Sequence, residues 1–476
     1  MKEEIISKSL EEEKKIKSEW FILTPDGEVH EINKFDFSKF KNLKKFATYE
    51  MEKSRKVEKE PIHINLMKHL ELVGYEPGSD PGNFRFLPKG RLIKSLLEEL
   101  VTQEMLDYGA MEVETPIMYD FNHPALKKYV DRFPARQYII DTPSKRLFLR
   151  FSACFGQFLM AHDTTISYRN LPMRLYELTK YSFRFETRGE LVGLRRLRAF
   201  TMPDCHAFCS DLEQAKKEML KRFDVSLKIQ EKIGFNLQED LELAVRATQM
   251  FWKENKKFLA ELVKKWRKPA LLEIWEKQYA YFSTKYELNF VDTLNKASAL
   301  TTDQIDVENG KIYDIKFRDK DNKLKNPLIL HLSPSGAIER VIYALLERAS
   351  TEKNPLLPIW LSPTQVRLCP VNDSFIKNSE EIADIIEKND IRVDIDDRAE
   401  SIEKKVRDAE MEWVPYIVVI GEKEIKSGKL AVRFRKTGEV KSISKEELID
   451  IIRKQIKGLP FKKLPLSRYL TERPTF

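Results

Sequence analysis

Two β-rich runs, residues 175–186 and 197–200, flank a polar loop that opens with Thr187, Arg188, Gly189 and Glu190. Antiparallel strands joined by a long loop are the simplest fold for such a segment. Upstream, residues 91–108 place apolar side chains at 3–4 spacing and end at Gly109, which predicts an amphipathic helix. A short strand over 111–114 follows and stops at Pro116. Downstream, Ser210 with Glu213 three residues later reads as a capping box. Residues 211–285 read as mainly helical, interrupted near Pro269. Strands with an Asn309–Gly310 turn are expected over 286–331, then a helix over 336–350.

Toward the N-terminus, residues 20–32 (WFILTPDGEVHEI) read as a hairpin and residues 74–83 as a loop. Toward the C-terminus, Pro355, Pro358 and Pro363 mark a connector. Beyond it the runs VRLCPV, IRVDID, YIVVIG and LAVRFR alternate with helical patterns over 377–388, 399–410 and 444–456. That alternation predicts a small α/β domain. At ~150 residues per domain, 476 residues allow about three. The expected division is 1–60, a short charged extension with a hairpin; 61–358, the main domain; and 362–476, the C-terminal domain.

No apolar run approaches the ~18 residues of a membrane helix, and the N-terminus has no apolar signal region. Four cysteines (Cys154, Cys205, Cys209, Cys369) do not make a disulfide framework. A cytoplasmic enzyme or binding protein is therefore expected. Charge is unevenly spread. Residues 361–420 carry 8 basic and 14 acidic side chains, residues 421–476 carry 15 and 7, and residues 166–200 carry 8 and 3. Such blocks point to nucleic acid or nucleotide phosphates, with a solvated Lys-rich surface as the plainer alternative. Neither GxxxxGK[ST] nor GxGxxG occurs, so arginines must hold any phosphates. Arg184-Phe185-Glu186 and the run from Arg195 to Phe200 could place a guanidinium on a phosphate and a ring on a purine.

The order of helix, strand and Pro116, then RFE, loop and RAF, then Gly336-Ala337-Ile338-Glu339-Arg340, resembles motifs 1, 2 and 3 of class II aminoacyl-tRNA synthetases. Four stretches narrow the resemblance to the threonyl-tRNA synthetases: NLPMRLYEL (170–178), FTMPDCHAFC (200–209), HLSPSGAIER (331–340) and KEIKSGKLAVRFR (423–435). The likeness runs over roughly residues 85–460. It implies an α/β (α+β) fold: an antiparallel-sheet catalytic domain flanked by helices, plus a C-terminal α/β anticodon-binding domain. It implies ATP-dependent activation of L-threonine and transfer to tRNA(Thr), with Mg2+ bridging the phosphates. Arg184 matches the arginine on the α-phosphate and Arg340 the motif 3 arginine. Glu186 matches the residue near the adenine amino group, Phe200 the ring on adenine, and Arg196 the γ-phosphate arginine.

The resemblance also implies one zinc ion, with Cys154, His206 and His331 at the ligand positions. Asp204, Gln304 and, more loosely, Tyr286 match the threonine side, and Arg398, Glu424 and Arg433 match anticodon readers. Motif 1 at 91–116 implies a homodimer. Cys205 and Cys209 read as strand residues rather than ligands. Alternatives are a class II synthetase for serine or proline, or a non-catalytic tRNA-binding paralogue. Departures from the family pattern are Met202 for a usual Gln, Cys154 in SACFGQ, and Ala399 in place of a polar reader.

Only about 60 residues precede the region expected to be catalytic, where the family usually carries an editing domain. Serine has the amino and hydroxyl groups of threonine, and a missing methyl is worth only ~1–3 kcal/mol of discrimination. The expectation is that the chain makes Ser-tRNA(Thr), does not hydrolyse it, and relies on a separate trans-editing protein. Preformed Ser-tRNA(Thr) incubated with purified protein should decay at the spontaneous rate. Rapid deacylation would place an editing activity within these 476 residues.

Overall fold

The computed structural model describes residues 15–52, 59–132, 137–186 and 188–476. Residues 1–14 of the charged N-terminal segment, and Thr187 of the polar loop, lie outside the described residues. Packing divides the chain into two units. One comprises the described parts of Met1–Glu60, Pro77–Asn83 and Val101–Ala344; the other comprises Pro61–Glu76, Phe84–Leu100 and Leu345–Phe476.

The first unit is built on a ten-stranded sheet. In chain order its strands are β1 (Ser18–Leu23), β2 (Val29–Glu31), β3 (Met111–Glu112), β4 (Met173–Phe183) and β5 (Ala199–Cys209), then β6 (Leu241–Thr248), β7 (Ala270–Trp275), β8 (Phe282–Val291), β9 (Ala297–Asp306) and β10 (Leu328–Ser333). Across the sheet they run β2-β1-β7-β6-β8-β9-β10-β5-β4-β3. Pairing is antiparallel except for β6 with β7 and β4 with β3. The expected hairpin at 20–32 forms β1 and β2, and β1 continues the sheet by pairing with β7.

β5 runs on through FTMPDCHAFC, well beyond the 197–200 run that the sequence suggested. Pro203 has no N–H to donate, yet it sits inside this strand. It faces Leu178 of β4, and β10 pairs with β5 only from Cys205 to Cys209, so no ladder bond to β10 is lost at the proline. Alternation along β5 places Phe200, Met202, Asp204, His206 and Phe208 on one face, and Cys205 and Cys209 on the other.

On the face of Cys205 lies α4 (Leu212–Ile233), where buried Arg222 bonds Asp303 at 2.9 and 3.1 Å and the Cys205 carbonyl at 2.8 Å. The N-cap of α4 is Asp211, one residue beyond the predicted Ser210: its carboxylate accepts from the Gln214 N–H, while Ser210 N–H donates to the Gln214 side chain. α5 (Gln249–Trp266) packs against β6 and β7.

Two expectations need correction here. Residues 211–285 are mainly helical, as expected, but they also hold two strands that the pattern did not separate, β6 (LELAVRAT) and β7 (ALLEIW), in which every residue is buried. Strands buried on both faces lose the alternation that identifies a half-exposed strand. Asn309–Gly310 is no hairpin turn but the start of a one-turn helix, Asn309–Ile312. The Asp306 carboxylate accepts from the Glu308 and Asn309 N–H groups and starts that turn.

On the face of His206, α1 (Lys41–Glu52) buries Leu43, Phe46 and Ala47 against Ile22, Ala244 and Leu271. α2 (Pro88–Asp107) is the expected long helix; it is followed by Gly109 in the left-handed region. α3 (Cys154–Asp163) and α6 (Ile338–Ala349) complete the frame of the site. No described helix is long and apolar enough to cross a membrane.

The second unit holds a five-stranded sheet of β11 (Val366–Pro370), β12 (Val393–Ile395), β13 (Tyr416–Ile420), β14 (Lys429–Phe434) and β15 (Val440–Ser444). Their order is β12-β11-β13-β14-β15; the first three are parallel and the last two antiparallel. Helices α7 (Ile376–Glu387), α8 (Ile402–Met411), α9 (Glu422–Ser427) and α10 (Lys445–Ile456) connect or cover these strands, as the alternating pattern predicted.

Gly336 has φ +77, and a Cβ there would lie 2.0 Å from the Leu300 carbonyl oxygen. Gly428 has φ +67 with nothing within 4 Å. Gly428→Ala should therefore cost about 1 kcal/mol, the left-handed penalty alone, and Gly336→Ala at least about 3 kcal/mol, because backbone must also move. Thermal unfolding of the two variants against the parent checks the difference. Equal shifts would contradict the close packing at Gly336.

Candidate active site

β5 and β10 pair so that His206 stands opposite His331, and β9 places Gln304 opposite His331. Gln304, His331 and His206 thus form one row across the sheet on one face. Cys154, the first residue of α3, reaches this row: its Sγ lies 3.0 Å from His206 Nε2 and 3.4 Å from His331 Nδ1. All three residues are buried, and among the described residues they form the one group that could hold a metal ion.

Each imidazole has its outer nitrogen occupied. Gln157, one turn along α3, accepts from His206 Nδ1 at 2.8 Å, and Asp306 accepts from His331 Nε2 at 2.8 Å. The inner nitrogens therefore present lone pairs to the thiol. Burial first, and His331 second, hold the His206 imidazole well below its ordinary range, so it stays neutral; burial pushes the Cys154 thiol up. Zn–S of ~2.3 Å and Zn–N of ~2.0 Å at a tetrahedral angle give an S···N edge of about 3.5 Å. The observed edges have that scale, the donors are one soft sulfur and two nitrogens, and the outer partners fix the ring orientations. The residues fit a zinc ion with an open position.

Asp204 lies two residues before His206 on the same face. Its carboxylate accepts from the Ala153 N–H at 2.9 Å and from Thr179 Oγ1 at 3.3 Å. Burial, aided by the charge of Glu177, raises it to about 6 against the lowering by those hydrogen bonds. Gln304 accepts at Oε1 from the Tyr281 hydroxyl at 2.9 Å, and the Tyr281 ring centroid is 4.9 Å from that of His331.

Tyr286, expected here, points the other way. It pairs with Asp303, not Gln304, and its ring packs against Phe223 of α4 with the hydroxyl 3.4 Å from Ser226 Oγ. Tyr281 stands in its place. In the continuous register of β8 with β9 it is Lys285 that lies opposite Gln304, which puts Tyr286 on the other face. The signal available in the sequence was the Tyr279/Tyr281 pair just before the strand.

At the other end of the same face of β5, Phe200 meets the arginines. Arg184 Cζ lies 5.3 Å from the Phe200 ring centroid, and Arg184 Nε is buried without a hydrogen-bond partner among the described residues. Arg196 approaches Glu186 at 3.6 Å and Glu190 at 3.8 Å. Arg340 Nη1 donates to the Ala299 carbonyl at 3.0 Å and Nε to the Arg195 carbonyl at 3.3 Å; both acceptors are neutral. Burial, then the charges of Arg184 and Arg196, push the Arg340 guanidinium down to about 10. Glu339 beside it accepts from the Thr201 N–H with both carboxylate oxygens, at 3.1 and 2.9 Å, and so ties α6 to β5. Cations that repel one another with little counter-charge make a seat for a polyanion. At ~3.3 Å per residue, Phe200 and His206 are about 20 Å apart along the strand.

The three anticodon candidates all fall in the second unit but not at one place. Arg398 follows β12 and bonds Asp396 and Asp408. Glu424 lies in α9, just beyond the carboxyl end of β13, and accepts from the Gly421 N–H at 3.0 Å. Arg433 on β14 lies opposite Ile417, toward the amino end of β13, and bonds Glu410 at 2.6 Å.

Residues 138–349 match the family model of the tRNA synthetase class II core domain (G, H, P, S and T), and residues 365–455 match that of the anticodon binding domain. The chain is 56% identical over 480 residues to a threonine–tRNA ligase of Pyrococcus horikoshii, covering 100% of this chain and 77% of that one. It is 55% identical over 484 residues to a threonine–tRNA ligase of Methanosarcina barkeri, covering 100% and 76%. A crystal structure described as the RNA binding domain of threonyl-tRNA synthetase from Cryptosporidium parvum superposes with a TM-score of 0.72 at 25% identity, over 84% of this chain and 98% of that one.

Metal analysis of the purified protein should find one zinc per chain, lost in Cys154→Ser. Asp306→Asn, which weakens the outer partner of His331 together with the carboxylate that starts the 309–312 turn, should lower zinc affinity by about 10–100-fold. Binding should tighten as pH rises, because the ion must displace a proton from a thiol that burial pushes up. A zinc content near zero, or full retention in His331→Ala, would overturn the assignment.

Proposed function

The chain belongs to the threonine–tRNA ligase family, and we propose that its ten-stranded unit activates L-threonine with ATP and passes it to the 3′ end of tRNA(Thr). The observation that carries this reading is the single face of β5, with an arginine cluster at the Phe200 end and the Cys154–His206–His331 cluster at the other. A nucleotide fits the first and a small amino acid the second, so the carboxylate of the amino acid meets the α-phosphorus between them.

That in-line attack needs positive charge around a crowded phosphorus more than it needs a base. Arg184, which directly follows β4 and lies against the Phe200 ring, grips the α-phosphate. Phe200 and Arg340 take the two sides of the purine nucleotide, Arg196 the terminal phosphate, and Glu186 the adenine amino group. Mg2+ accompanies the triphosphate.

Zinc bound by Cys154, His206 and His331 would supply an open position that the amino and hydroxyl groups of threonine fill. Asp204, already holding the Ala153 N–H, accepts from the substrate's amino or hydroxyl group. Gln304, held by Tyr281, closes the side of the pocket. Valine lacks the hydroxyl and leaves polar partners unpaired, so the pocket rejects it strongly. Serine differs by a methyl alone and enters, so accurate charging needs a hydrolytic activity at some other site.

In the second unit, Arg398, Glu424 and Arg433 are the proposed anticodon contacts. Arg398 and Arg433 are both held by carboxylates of α8, which keeps them oriented before RNA arrives. A homodimer is proposed through the motif 1 region. Leu106, Met111, Ile117 and Met118 are exposed apolar residues on and around β3, the edge strand of the large sheet.

Arg184→Ala should cut threonine-dependent pyrophosphate exchange by at least ~10²-fold, the scale of losing one preorganised charge-stabilising donor. Arg433→Ala should leave exchange intact and weaken aminoacylation. Equal loss of exchange in both variants would overturn the division into an activating and an anticodon-reading part.

A further inference from the structure

Arg340 is the half-buried cation of the nucleotide seat, and the two hydrogen bonds that orient it end on the carbonyls of Arg195 and Ala299. Its placement is therefore only as good as the backbone that carries those two oxygens. The side chain of Arg195 is what joins the two stretches. Its Nε donates to Ser298 Oγ at 3.1 Å, and Nη2 reaches the Ala297 carbonyl at 3.5 Å, so residue 195 is tied to the strand that bears Ala299. Asp292, whose carboxylate also accepts from the Tyr343 hydroxyl at 3.0 Å, lies 3.8 Å from Nη1 and balances the charge.

The remaining contact of this guanidinium goes outside the catalytic motifs. Nη2 donates to the Tyr49 hydroxyl at 3.2 Å. Tyr49 belongs to α1, which is fixed independently by Leu43, Phe46 and Ala47 against the sheet. Lys296 Nζ lies 5.5 Å from the centroid of the Tyr49 ring and steadies it from the strand side. From α1 the chain of contacts is short: Tyr49 hydroxyl, Arg195 guanidinium, Arg195 carbonyl, Arg340 guanidinium.

We infer that Tyr49 and Arg195 are positioning residues for nucleotide binding, and that α1 thereby sets the orientation of Arg340. Neither residue touches the amino-acid end of the pocket, which is built from β5, β9, β10 and α3. Disturbing the relay should loosen ATP and leave threonine and zinc alone. The inference rests on the proposal that the arginine cluster seats ATP.

The test compares Tyr49→Phe, Arg195→Ala, Arg195→Lys and the Tyr49→Phe/Arg195→Ala pair with the parent chain. ATP affinity is read by titration calorimetry, KM for ATP and for threonine by pyrophosphate exchange, and zinc by metal analysis. Tyr49→Phe should weaken ATP binding and raise its KM by about 3–10-fold, the scale of one ordinary hydrogen bond. Threonine KM and zinc content should stay at the parent values. Arg195→Ala should do more, and Arg195→Lys, which keeps the charge but not the fork, should not restore it. The double variant should match Arg195→Ala alone, because both substitutions break one chain of contacts.

Unchanged ATP affinity in a folded, zinc-loaded Tyr49→Phe protein would overturn the inference, as would fully additive effects in the pair. A parent chain that binds ATP but exchanges no pyrophosphate with threonine would instead contradict the proposed reaction, and the calorimetric comparison would still decide the role of Tyr49.

Discussion

The pairing of β5 with β10 is the constraint on which the rest of the site depends. Side chains alternate along a strand, so a slip of one residue would turn His206 away from His331 and bring Cys205 to the site face. The register is held from behind the sheet. Arg222 of α4 bonds Asp303 of β9 and the Cys205 carbonyl of β5, both of which lie opposite Leu332 of the intervening β10, next to His331. Buried ion pairs contribute little net stability against apolar replacements. Here the pair spans three strands at one level, and its value lies in excluding other registers. The same alternation then delivers Phe200, Met202 and Asp204 to the site face without further devices.

Electrostatics divides that face. At the metal end the imidazoles and Asp204 are satisfied: each imidazole has an outer acceptor and Asp204 already holds a backbone N–H. At the nucleotide end they are not. Arg340 is oriented by carbonyls alone, Arg184 Nε has no hydrogen-bond partner among the described residues, and burial together with the charges of Arg184 and Arg196 depresses Arg340. A chain without a glycine-rich phosphate loop can still bind a triphosphate this way, at the cost of stability when the site is empty. Preorganised charge of this kind is the largest contributor to catalysis of phosphoryl chemistry.

Much of this was legible in the sequence where pattern and chemistry coincide. The hairpin of β4 and β5 shows as alternating β-rich runs around a charged loop, and the C-terminal α/β pattern shows because its strands and helices have distinct periods. Cys154, His206 and His331 are 52 and more residues apart, so spacing says nothing of them and only the resemblance of their surrounding motifs did. β6 and β7 were lost because strands buried on both faces look like any apolar run. Tyr286 matches the threonine side only loosely in the resemblance, and its face is set by its pairing with Asp303 on β9, which the sequence does not display. The link from Tyr49 to Arg195 spans 146 positions and has no sequence pattern at all.

Pyrophosphate exchange measured with each of the standard amino acids in turn tests the central claim most directly. A pocket that pairs zinc ligands with Asp204 and Gln304 predicts exchange with threonine, weaker exchange with serine, and none above background with valine or proline. Exchange led by any amino acid without adjacent amino and hydroxyl groups would contradict the account.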